Sequence, residues 1–556
     1  MRKDQDKHNK LFLFFALTIG VFLACRYLGP ELCNTYSVQD DFRQSFFWLW
    51  QYYDDTLLKN DFFAEMYKSH VTRLPILNLI FLAIANLKID LVIFSKYFAL
   101  LIGILSTVAA YLYFHIISKN KIISLFFCAF MSFLFYSTDH ISAAQARSFI
   151  WLGLFLYMYL KAINKNFIAA LLTFLLLFLS PNTFMLCLAM EGFAMLKEVF
   201  DNKKINFKST LFVSTLVNAF SALFLYKIIF KDIQTQGVGT PFSKLEMQNL
   251  PEFLPGGRHP IFGSHFFDGT WFRNEHWGFG YGYHPVSKVV FIGIAVSIIY
   301  FIVNKFFVST KVHKTCSVIF LISSSLSLYF LSQLTFPLLY LPSRYIAVPT
   351  MVVAVVFIFL FFEQLTNLKS KISNQKLKLV MSLVLPFSFC CIFFAEEKKY
   401  IHLRYVSMQE ATVKVLQQTP INSLIAGFPM LPDLNSASIL AKRKIYVDYE
   451  RSMAYTKESL KEIRKRNLVA IKMTYATTKE EFLALAQQEG ITHFLALRDL
   501  YNYRNLQNAR YINPYNQFLK QTILQAKGQF FLAQYLDQIK QNYVLIDIAS
   551  LVNSAS

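Results

Sequence analysis

The chain has 556 residues, of which 55% are hydrophobic and only 16% are charged. Soluble globular proteins usually carry about 25% charged residues, and the mean hydropathy here is +0.39, so the composition excludes an ordinary soluble enzyme. The formal net charge is +21, but the lysines and arginines cluster in short loops between apolar runs, as the positive-inside rule predicts. A nucleic-acid-binding surface would instead gather them on one face. We therefore expect a multi-pass α-helical membrane protein that binds no nucleic acid.

Apolar runs near the roughly 20 residues needed to cross a bilayer recur as far as about residue 394. The basic segment 1–10 is expected to stay in the cytoplasm, and the apolar run behind it is expected to be a retained anchor. Placing the lysine-rich loops inside, with the short run 73–87 not spanning, gives about eleven spans. The predicted spans are residues 11–28, 91–117, 122–135, 148–160, 167–179, 183–195, 211–230, 289–303, 318–334, 345–362 and 379–394.

The alternation of these spans predicts which connections face away from the cytoplasm. Outer loops are expected at residues 29–72, 138–147 and 231–285, within a transmembrane domain of residues 1–395. Residues 396–556 are expected to form a soluble domain on the same outer side. We expect the membrane to be the bacterial inner (plasma) membrane, with the N-terminus cytoplasmic and the C-terminal domain periplasmic or extracellular.

The composition changes in the C-terminal part of the chain, where short apolar runs alternate with helical patterns. This alternation predicts a small α/β domain with a mostly parallel sheet. The domain has no glycine-rich phosphate loop and no nucleophile elbow. The predicted strands are residues 423–428, 444–449, 492–497 and 543–548, and the clearest predicted helices are residues 457–465 and 479–488.

The first outer loop contains the motif Asp40-Asp41-Phe42-Arg43, followed by an aromatic run over residues 45–53. Aromatic residues interleaved with polar ones predict a helix lying in the membrane interface. Carboxylates that are partly removed from water are costly unless they are paired or used. The motif is therefore the first candidate for chemistry, and the alternative is a solvated loop in which the carboxylates only pair with Arg43.

An acidic pair and an arginine in the outer loop after the first span resemble the polytopic glycosyltransferases of the GT-C class. That class includes protein O-mannosyltransferases, lipid A aminoarabinose transferases and the oligosaccharyltransferase catalytic subunit. The resemblance covers roughly residues 1–395. It implies that Asp40 is the base that activates the acceptor, that Asp41 supports it or binds a cation, and that Arg43 lies near the substrate.

Three more arginines are candidates to bind the phosphate of a lipid-linked substrate, because the guanidinium fork binds phosphate oxygens bidentately and stays charged. Arg73 precedes Pro75 at the end of the first outer loop, a position where the GT-C resemblance implies a phosphate contact. The alternative for Arg73 is an interfacial arginine that reaches lipid headgroups. Arg147 lies in the second outer loop. Arg344 lies at the outer mouth of an apolar span, where a structural ion pair is the alternative.

Two further groups lie in the outer loops. Asp139 and His140 could join Asp41 around one divalent cation, for which these ligands would suit Mg²⁺ or Mn²⁺, unless they form only a polar turn. The third loop is rich in glycine, aromatic residues and histidine, including His276, and suits stacking on sugar rings. A packed aromatic loop is the alternative there, and the histidine spacings match no tetrahedral zinc motif.

These expectations combine into an integral membrane glycosyltransferase. It would transfer a sugar from a polyprenyl phosphate or diphosphate donor in the membrane lipid to an extracytoplasmic glycan, lipid or protein acceptor, with Asp40 as general base. The rival interpretations are a transporter or flippase, a non-catalytic protein of envelope assembly, and an envelope ligase or polymerase that relies on outer-loop arginines and histidines. A transporter would need charges near the middle of the membrane, and Glu191 is the main one.

Overall fold

The fold comes from a computed structural model of the chain. It describes residues 2–68, 75–118, 120–138, 140–204, 207, 209–235, 240, 242–258, 292–293, 295–296, 316–335, 342–368, 384, 403–453 and 456–553.

The described part of the chain up to residue 368 is mainly helical. One short strand, β1 (Ser37–Gln39), follows the first helix. The helices are α1 (Arg2–Cys33), α2 (Asp40–Phe46), α3 (Trp50–Tyr53), α4 (Phe62–Lys68), α5 (Pro75–Asn86), α6 (Leu91–Ser118), α7 (Lys121–Ser137), α8 (Phe149–Ala162), α9 (Asn166–Leu179), α10 (Pro181–Asn202), α11 (Thr210–Thr235), α12 (Lys244–Gln248), α13 (Cys316–Thr335) and α14 (Ala347–Leu368).

Helices occupy nine of the predicted spans within the described residues. Among the described residues, three segments are long and apolar enough to cross a bilayer, namely residues 10–33, 91–118 and 317–335. Large apolar side chains project from the helices without protein cover, such as Phe14 at 61% exposure and Phe220 at 67%. Soluble proteins rarely expose large apolar surfaces to water, so these helices indicate a membrane protein. The predicted spans 289–303 and 379–394 lie almost wholly outside the described residues, and the number of crossings stays a prediction.

Helix α5 corresponds to the apolar run that was predicted not to span. It has 12 residues and is therefore about 18 Å long at 1.5 Å per residue. That length is shorter than the roughly 30 Å hydrocarbon layer of a bilayer. The length of α5 agrees with a helix that dips into the membrane.

The C-terminal domain is an α/β fold, as predicted. Its strands form a sheet of order β4-β3-β5-β6, in which β3 pairs in parallel with β4 and β5, and β6 is antiparallel to β5. The elements are β2 (Tyr405–Ser407), α15 (Glu410–Gln418), β3 (Leu424–Gly427), α16 (Pro432–Leu440), β4 (Lys444–Ile445), α17 (Lys457–Thr474), α18 (Lys479–Gln488), β5 (His493–Leu497), α19 (Tyr503–Gln507), α20 (Tyr515–Gln525), α21 (Phe531–Gln538), β6 (Tyr543–Asp547) and α22 (Ile548–Asn553).

Strand β2 ties the start of the C-terminal domain to the first predicted outer loop. It pairs antiparallel with β1, in the register Ser37–Ser407, Val38–Val406 and Gln39–Tyr405. The pairing continues beyond the strands, where the Met408 amide donates to the Tyr36 carbonyl at 3.0 Å. The two segments are nearly 370 positions apart in sequence, so this two-stranded sheet places the C-terminal domain directly beside the acidic pair.

The aromatic run after the acidic pair was predicted to form a helix in the membrane interface. That prediction is wrong, because the run is buried in protein. Phe46 and Trp50 are 3% and 0% exposed. The Phe46 ring lies 4.5 Å from that of Phe81 on α5. On the opposite side, the Trp50 indole N–H donates to the Ile439 carbonyl at 3.0 Å, and the Lys442 ammonium lies 3.9 Å from the Trp50 ring. The run therefore joins the apolar helices to the C-terminal domain.

Candidate functional site

The acidic pair begins helix α2, and the local sequence explains why. Gln39 is extended, with φ −70° and ψ 139°, and its side-chain oxygen accepts from the Asp41 and Phe42 amides at 2.8 and 3.1 Å. The Asp40 amide donates to the Arg404 carbonyl at 3.0 Å, which continues the β1–β2 pairing. Capping and strand pairing thus fix both carboxylates in the first helical turn, where the helix dipole favours negative charge.

Asp40 is anchored through one of its two carboxylate oxygens. Its Oδ1 accepts from Arg43 Nε at 3.0 Å and Nη2 at 2.6 Å, and from Gln44 Nε2 at 3.3 Å. No hydrogen bond to Oδ2 comes from the part of the chain that the structure describes, and the Asp40 side chain is 23% exposed. This arrangement orients the carboxylate and leaves one oxygen able to accept a proton from a hydroxyl group.

Asp41 faces the second predicted outer loop. Its Oδ2 forms an ion pair with Arg147 Nη2. The backbone carbonyl of Asp41 also accepts from Gln145 Nε2 at 2.6 Å, and the same amide donates to Ser45 Oγ at 2.8 Å. These contacts dock the second loop onto α2, so that two loops about 100 positions apart meet at the acidic pair.

His140 lies in the same second loop. Its Nδ1 donates to the Thr138 carbonyl at 2.7 Å, which leaves Nε2 without the proton in the neutral ring. Burial lowers the pKa of His140 to about 3; the positive charges of Arg147 and Arg344 act in the same direction, and the Thr138 carbonyl and Asp41 oppose them. The imidazole is therefore neutral at physiological pH.

Arg344 reaches the same place from a distant part of the chain. It lies in a short 3₁₀ turn before α14. The turn is held by Tyr345, whose carbonyl accepts from Ser325 Oγ at 2.5 Å and whose hydroxyl donates to Asn182 Oδ1 at 3.3 Å. Arg344 is exposed, and its charge interacts with those of Arg147 and Asp41.

The structure thus brings together five residues that the sequence singled out. We refer to this set as the loop cluster: Asp40, Asp41, His140, Arg147 and Arg344. Asp40 and Asp41 are joined by helix α2, and the other members follow from the contacts of the second loop and the Arg344 turn. Two guanidinium groups and a neutral imidazole make the cluster suited to an anion, and the planar guanidinium fork can bind phosphate oxygens bidentately.

The predicted cation site does not assemble from the residues that the structure describes. No group of three His, Cys, Asp or Glu side chains with metal-ligand spacing occurs among them. Asp41 is engaged by Arg147, whose positive charge opposes a cation there. Asp139 lies outside the described residues. The described donors therefore do not fit a divalent cation.

Three other predicted positions have different outcomes. Arg73 and His276 also lie outside the described residues. Arg43 is 6% exposed; besides Asp40 it donates from Nη1 to Ser436 Oγ at 3.3 Å. Its predicted contact with substrate stays a prediction.

Sequence reasoning missed Glu450, whose Oε1 lies 3.7 Å from Arg43 Nη2. Glu450 follows strand β4 of the C-terminal sheet. The signal for it was the polar run Asp448-Tyr449-Glu450-Arg451 after a buried strand, because the carboxyl ends of parallel strands are common locations for functional groups.

No family model matches the chain, and no curated protein matches it. Its fold is similar to crystal structures of the oligosaccharyltransferase of Archaeoglobus fulgidus. The structure tethered to an acceptor peptide gives a TM-score of 0.46 at 10% identity, and it covers 94% of this chain and 72% of that one.

Two further structures of that protein give similar values. The complex with zinc and sulfate gives a TM-score of 0.45 at 10% identity, covering 92% of this chain and 70% of that one. The complex with an inhibitory peptide and a dolichol-phosphate gives 0.41 at 9% identity, covering 90% and 71%. At TM-scores below 0.5 these structures assign neither an activity nor a residue to this chain.

Proposed function

We propose that this protein is an integral membrane glycosyltransferase of the GT-C type. It transfers a sugar from a polyprenyl phosphate or diphosphate donor to an acceptor on the extracytoplasmic side. The observation that carries the proposal is the loop cluster at the junction of apolar helices and a soluble domain. In it an oriented carboxylate with one open oxygen, Asp40, adjoins Asp41, whose charge interacts with Arg147 and Arg344. A lipid-linked donor explains the large apolar part of the chain.

The chemistry follows from the roles of the two sides of the cluster. Asp40 accepts the proton of the acceptor on Oδ2 while the acceptor atom forms a bond to the anomeric carbon. The bond between that carbon and the phosphate oxygen breaks, and the phosphate leaves with an additional negative charge. Arg147 and Arg344 stabilise that charge. Asp41 orients Arg147, and Arg43 orients Asp40.

The remaining predicted contacts are also part of the proposal. Arg73 is a third arginine for the donor phosphate, and His276 lies in the loop that contacts the sugar. A divalent cation, Mg²⁺ or Mn²⁺, stays a prediction whose test is stimulation of the purified protein by either ion after treatment with a chelator. The C-terminal domain borders the acidic pair through β2 and contributes to binding the acceptor.

The proposal is tested with purified protein in proteoliposomes that contain polyprenyl phosphate mannose or polyprenyl phosphate glucose, with water or a short glycan as acceptor. A glycosyltransferase releases free polyprenyl phosphate and forms a glycosidic product. A flippase moves the intact lipid to the other leaflet and cleaves nothing, and a non-catalytic assembly protein does neither. Intact donors after prolonged incubation, across the panel of sugars and acceptors, would contradict the proposal.

Arg498→Gln is the matched control for substitutions of Arg147 and Arg344 in this assay. Arg498 belongs to the C-terminal domain, far along the chain from the loop cluster, and its side chain is half exposed in an ion pair with Asp537. Exposed ion pairs contribute little to stability, so this variant should release polyprenyl phosphate at the rate of the natural protein. It removes one arginine from the protein without changing the cluster, and so separates a specific role of Arg147 and Arg344 from an effect of net charge.

A further inference from the structure

Glu450 connects the C-terminal domain to the acidic pair. Its side chain is 15% exposed and its Oε1 lies 3.7 Å from Arg43 Nη2, the atom that also donates to Asp40. Its other oxygen, Oε2, forms an ion pair with Arg258. The Glu450 backbone is itself fixed, because its amide donates to Asn435 Oδ1 at 3.3 Å on helix α16. Glu450 is therefore held between two arginines.

Arg258 belongs to the segment 240–258, which follows α11 and lies on the C-terminal domain. The Lys457 amide donates to the Thr240 carbonyl at 3.1 Å, and the Asn513 amide donates to the Gly256 carbonyl at 2.8 Å. Between these points Glu252, only 2% exposed, binds Arg464 at 2.7 and 2.8 Å. The described part of the segment is thus attached at three points, and Arg258 is its last described residue.

The turn that delivers Arg258 requires its two glycines. Gly256 has φ +83°, a conformation that favours glycine. A Cβ on Gly257 would collide with the carbonyl oxygens of Pro251 and Glu252. Beyond this turn the Arg258 guanidinium lies 4.3 Å from the Tyr449 ring and donates from Nε to the Tyr449 carbonyl at 2.8 Å. The arginine is held on three sides, so its charge has a defined position.

Successive ion pairs join four charged groups whose sign alternates: Asp40, Arg43, Glu450 and Arg258. Burial raises the pKa of Glu450, Arg258 opposes this, and Asp40 adds to it because the two carboxylates repel each other. Arg43 lies between those carboxylates and separates them. Because all four side chains are at most 23% exposed, water screens them weakly and removal of one charge affects the next.

We propose that Glu450 is a positioning residue for the acidic pair: it holds Arg43 in the orientation that binds Asp40 Oδ1, and it links the segment 240–258 to that arginine through Arg258. The proposal rests on the function proposed above, since it gives Glu450 a role in orienting the base. Its consequence is that Glu450 affects the chemical step and not the binding of donor. Without its carboxylate, Arg43 and Arg258 carry two adjacent positive charges, and Arg43 moves away from the geometry that leaves Asp40 Oδ2 open.

The first test compares Glu450→Gln, Glu450→Asp and the control Glu462→Gln. Glu462 is an acid of the same domain that pairs with Arg466 at 2.8 Å. With polyprenyl phosphate mannose as donor, Glu450→Gln should lower kcat about tenfold or more with KM within about twofold, the pattern of an interaction made in the transition state. Glu450→Asp should recover a large part of kcat, and Glu462→Gln should equal the natural protein. A Glu450→Gln variant that keeps its full kcat, or changes KM alone, overturns the proposal.

The second test needs no transferase activity. Thermal unfolding midpoints of the detergent-solubilised protein are measured for Glu450→Gln, Asp40→Asn and the double variant, and likewise for Glu450→Gln with Arg258→Gln. Coupled residues give non-additive effects, so each double variant should differ from the sum of its single variants. Additive midpoints in both cycles overturn the network. Non-additive midpoints in a protein that transfers no sugar keep the network and refute only the proposed function.

Discussion

Asp40 and Asp41 are neighbours in sequence, yet they have different surroundings. Asp40 is held through Oδ1 by an arginine one turn ahead in its own helix, and Asp41 is paired with Arg147 of another loop. The sequence alone predicted the pair, the arginine and their place after the first apolar run, because all of these are local. It did not predict that Glu450 lies beside Arg43, because the polar run after β4 marks Glu450 as a candidate but does not reveal a partner about 400 positions away.

The two arginines of the loop cluster give a prediction at the scale of single residues. Arg147→Gln and Arg344→Gln should each weaken binding of free polyprenyl phosphate about tenfold to a hundredfold, because each removes hydrogen bonds from a charged donor. Native mass spectrometry in nanodiscs measures this affinity directly. Arg344→Lys should retain part of the affinity, since lysine keeps the charge and loses the fork. If both glutamine variants bind polyprenyl phosphate as tightly as the natural protein, the arginines do not bind the donor phosphate.

His140 predicts how stability depends on pH. Its folded pKa of about 3 lies below the ordinary 6.5, so between these values the unfolded chain binds a proton that the folded protein does not. The contribution of His140 to the free energy of unfolding therefore rises with pH across this window. The same contribution is lost as the pH falls through the window. His140→Asn removes the titrating group and should flatten the fall of the thermal midpoint between about pH 6.5 and pH 4. An equally steep fall in the variant would show that His140 is not the source.

At the scale of elements, the sequence predicted most of the C-terminal domain and misplaced the aromatic run. All four predicted strands are present, and the predicted helix 479–488 has the observed bounds. Strands and helices follow from apolar periodicity, which needs only neighbouring residues. The prediction for the aromatic run is wrong because membrane interfaces and protein interfaces are both enriched in the same amphipathic aromatic residues. Only the tertiary partners, Phe81 and Ile439, distinguish the two.

The cap of helix α2 gives a prediction at this scale. Gln39→Ala removes the side chain that binds the Asp41 and Phe42 amides, and should cost about 1 kcal/mol in the free energy of unfolding. Because this helix turn carries both carboxylates, the variant should also lose transferase activity. Thr478→Ala serves as the control. Thr478 caps α18, because its hydroxyl accepts a hydrogen bond from the Glu481 amide at 3.1 Å.

The comparison between these caps separates stability from function. Thr478→Ala should lower the thermal midpoint by a similar amount and leave sugar transfer unchanged, because α18 lies outside the loop cluster. Equal losses of activity in the two variants would attribute the effect of Gln39→Ala to general destabilisation and not to displaced carboxylates.

At the scale of the whole molecule, the β1–β2 pairing puts the acidic pair and the C-terminal domain on one side of the apolar helices. The rule that places lysine-rich loops inside predicts that this side is the extracytoplasmic one. The sequence could predict this arrangement because topology depends on charge distribution along the chain. It could not predict how the domain docks, since that depends on the packing of α2 and α16.

Cysteine labelling tests this topology. In a variant without the seven native cysteines, Leu524→Cys places a thiol on α20, where Leu524 is 75% exposed, and Phe200→Cys places one near the end of α10, where Phe200 is 79% exposed. A membrane-impermeant maleimide should label position 524 in intact cells, or in spheroplasts where an outer membrane is present. Position 200 should react only after permeabilisation. The reverse pattern would invert the topology and refute an extracytoplasmic acceptor.

The central claim, that Asp40 is the base for sugar transfer, has one direct measurement: the rate of polyprenyl phosphate release by Asp40→Asn in proteoliposomes. Asparagine keeps the size and the anchored oxygen but cannot take the proton, so the rate should fall about a hundredfold to ten-thousandfold while the protein still inserts and folds. Asp54→Asn is the control, because Asp54 lies in the same loop, is exposed, and its side chain accepts hydrogen bonds from Thr56. An Asp40→Asn variant as fast as the natural protein would contradict the claim.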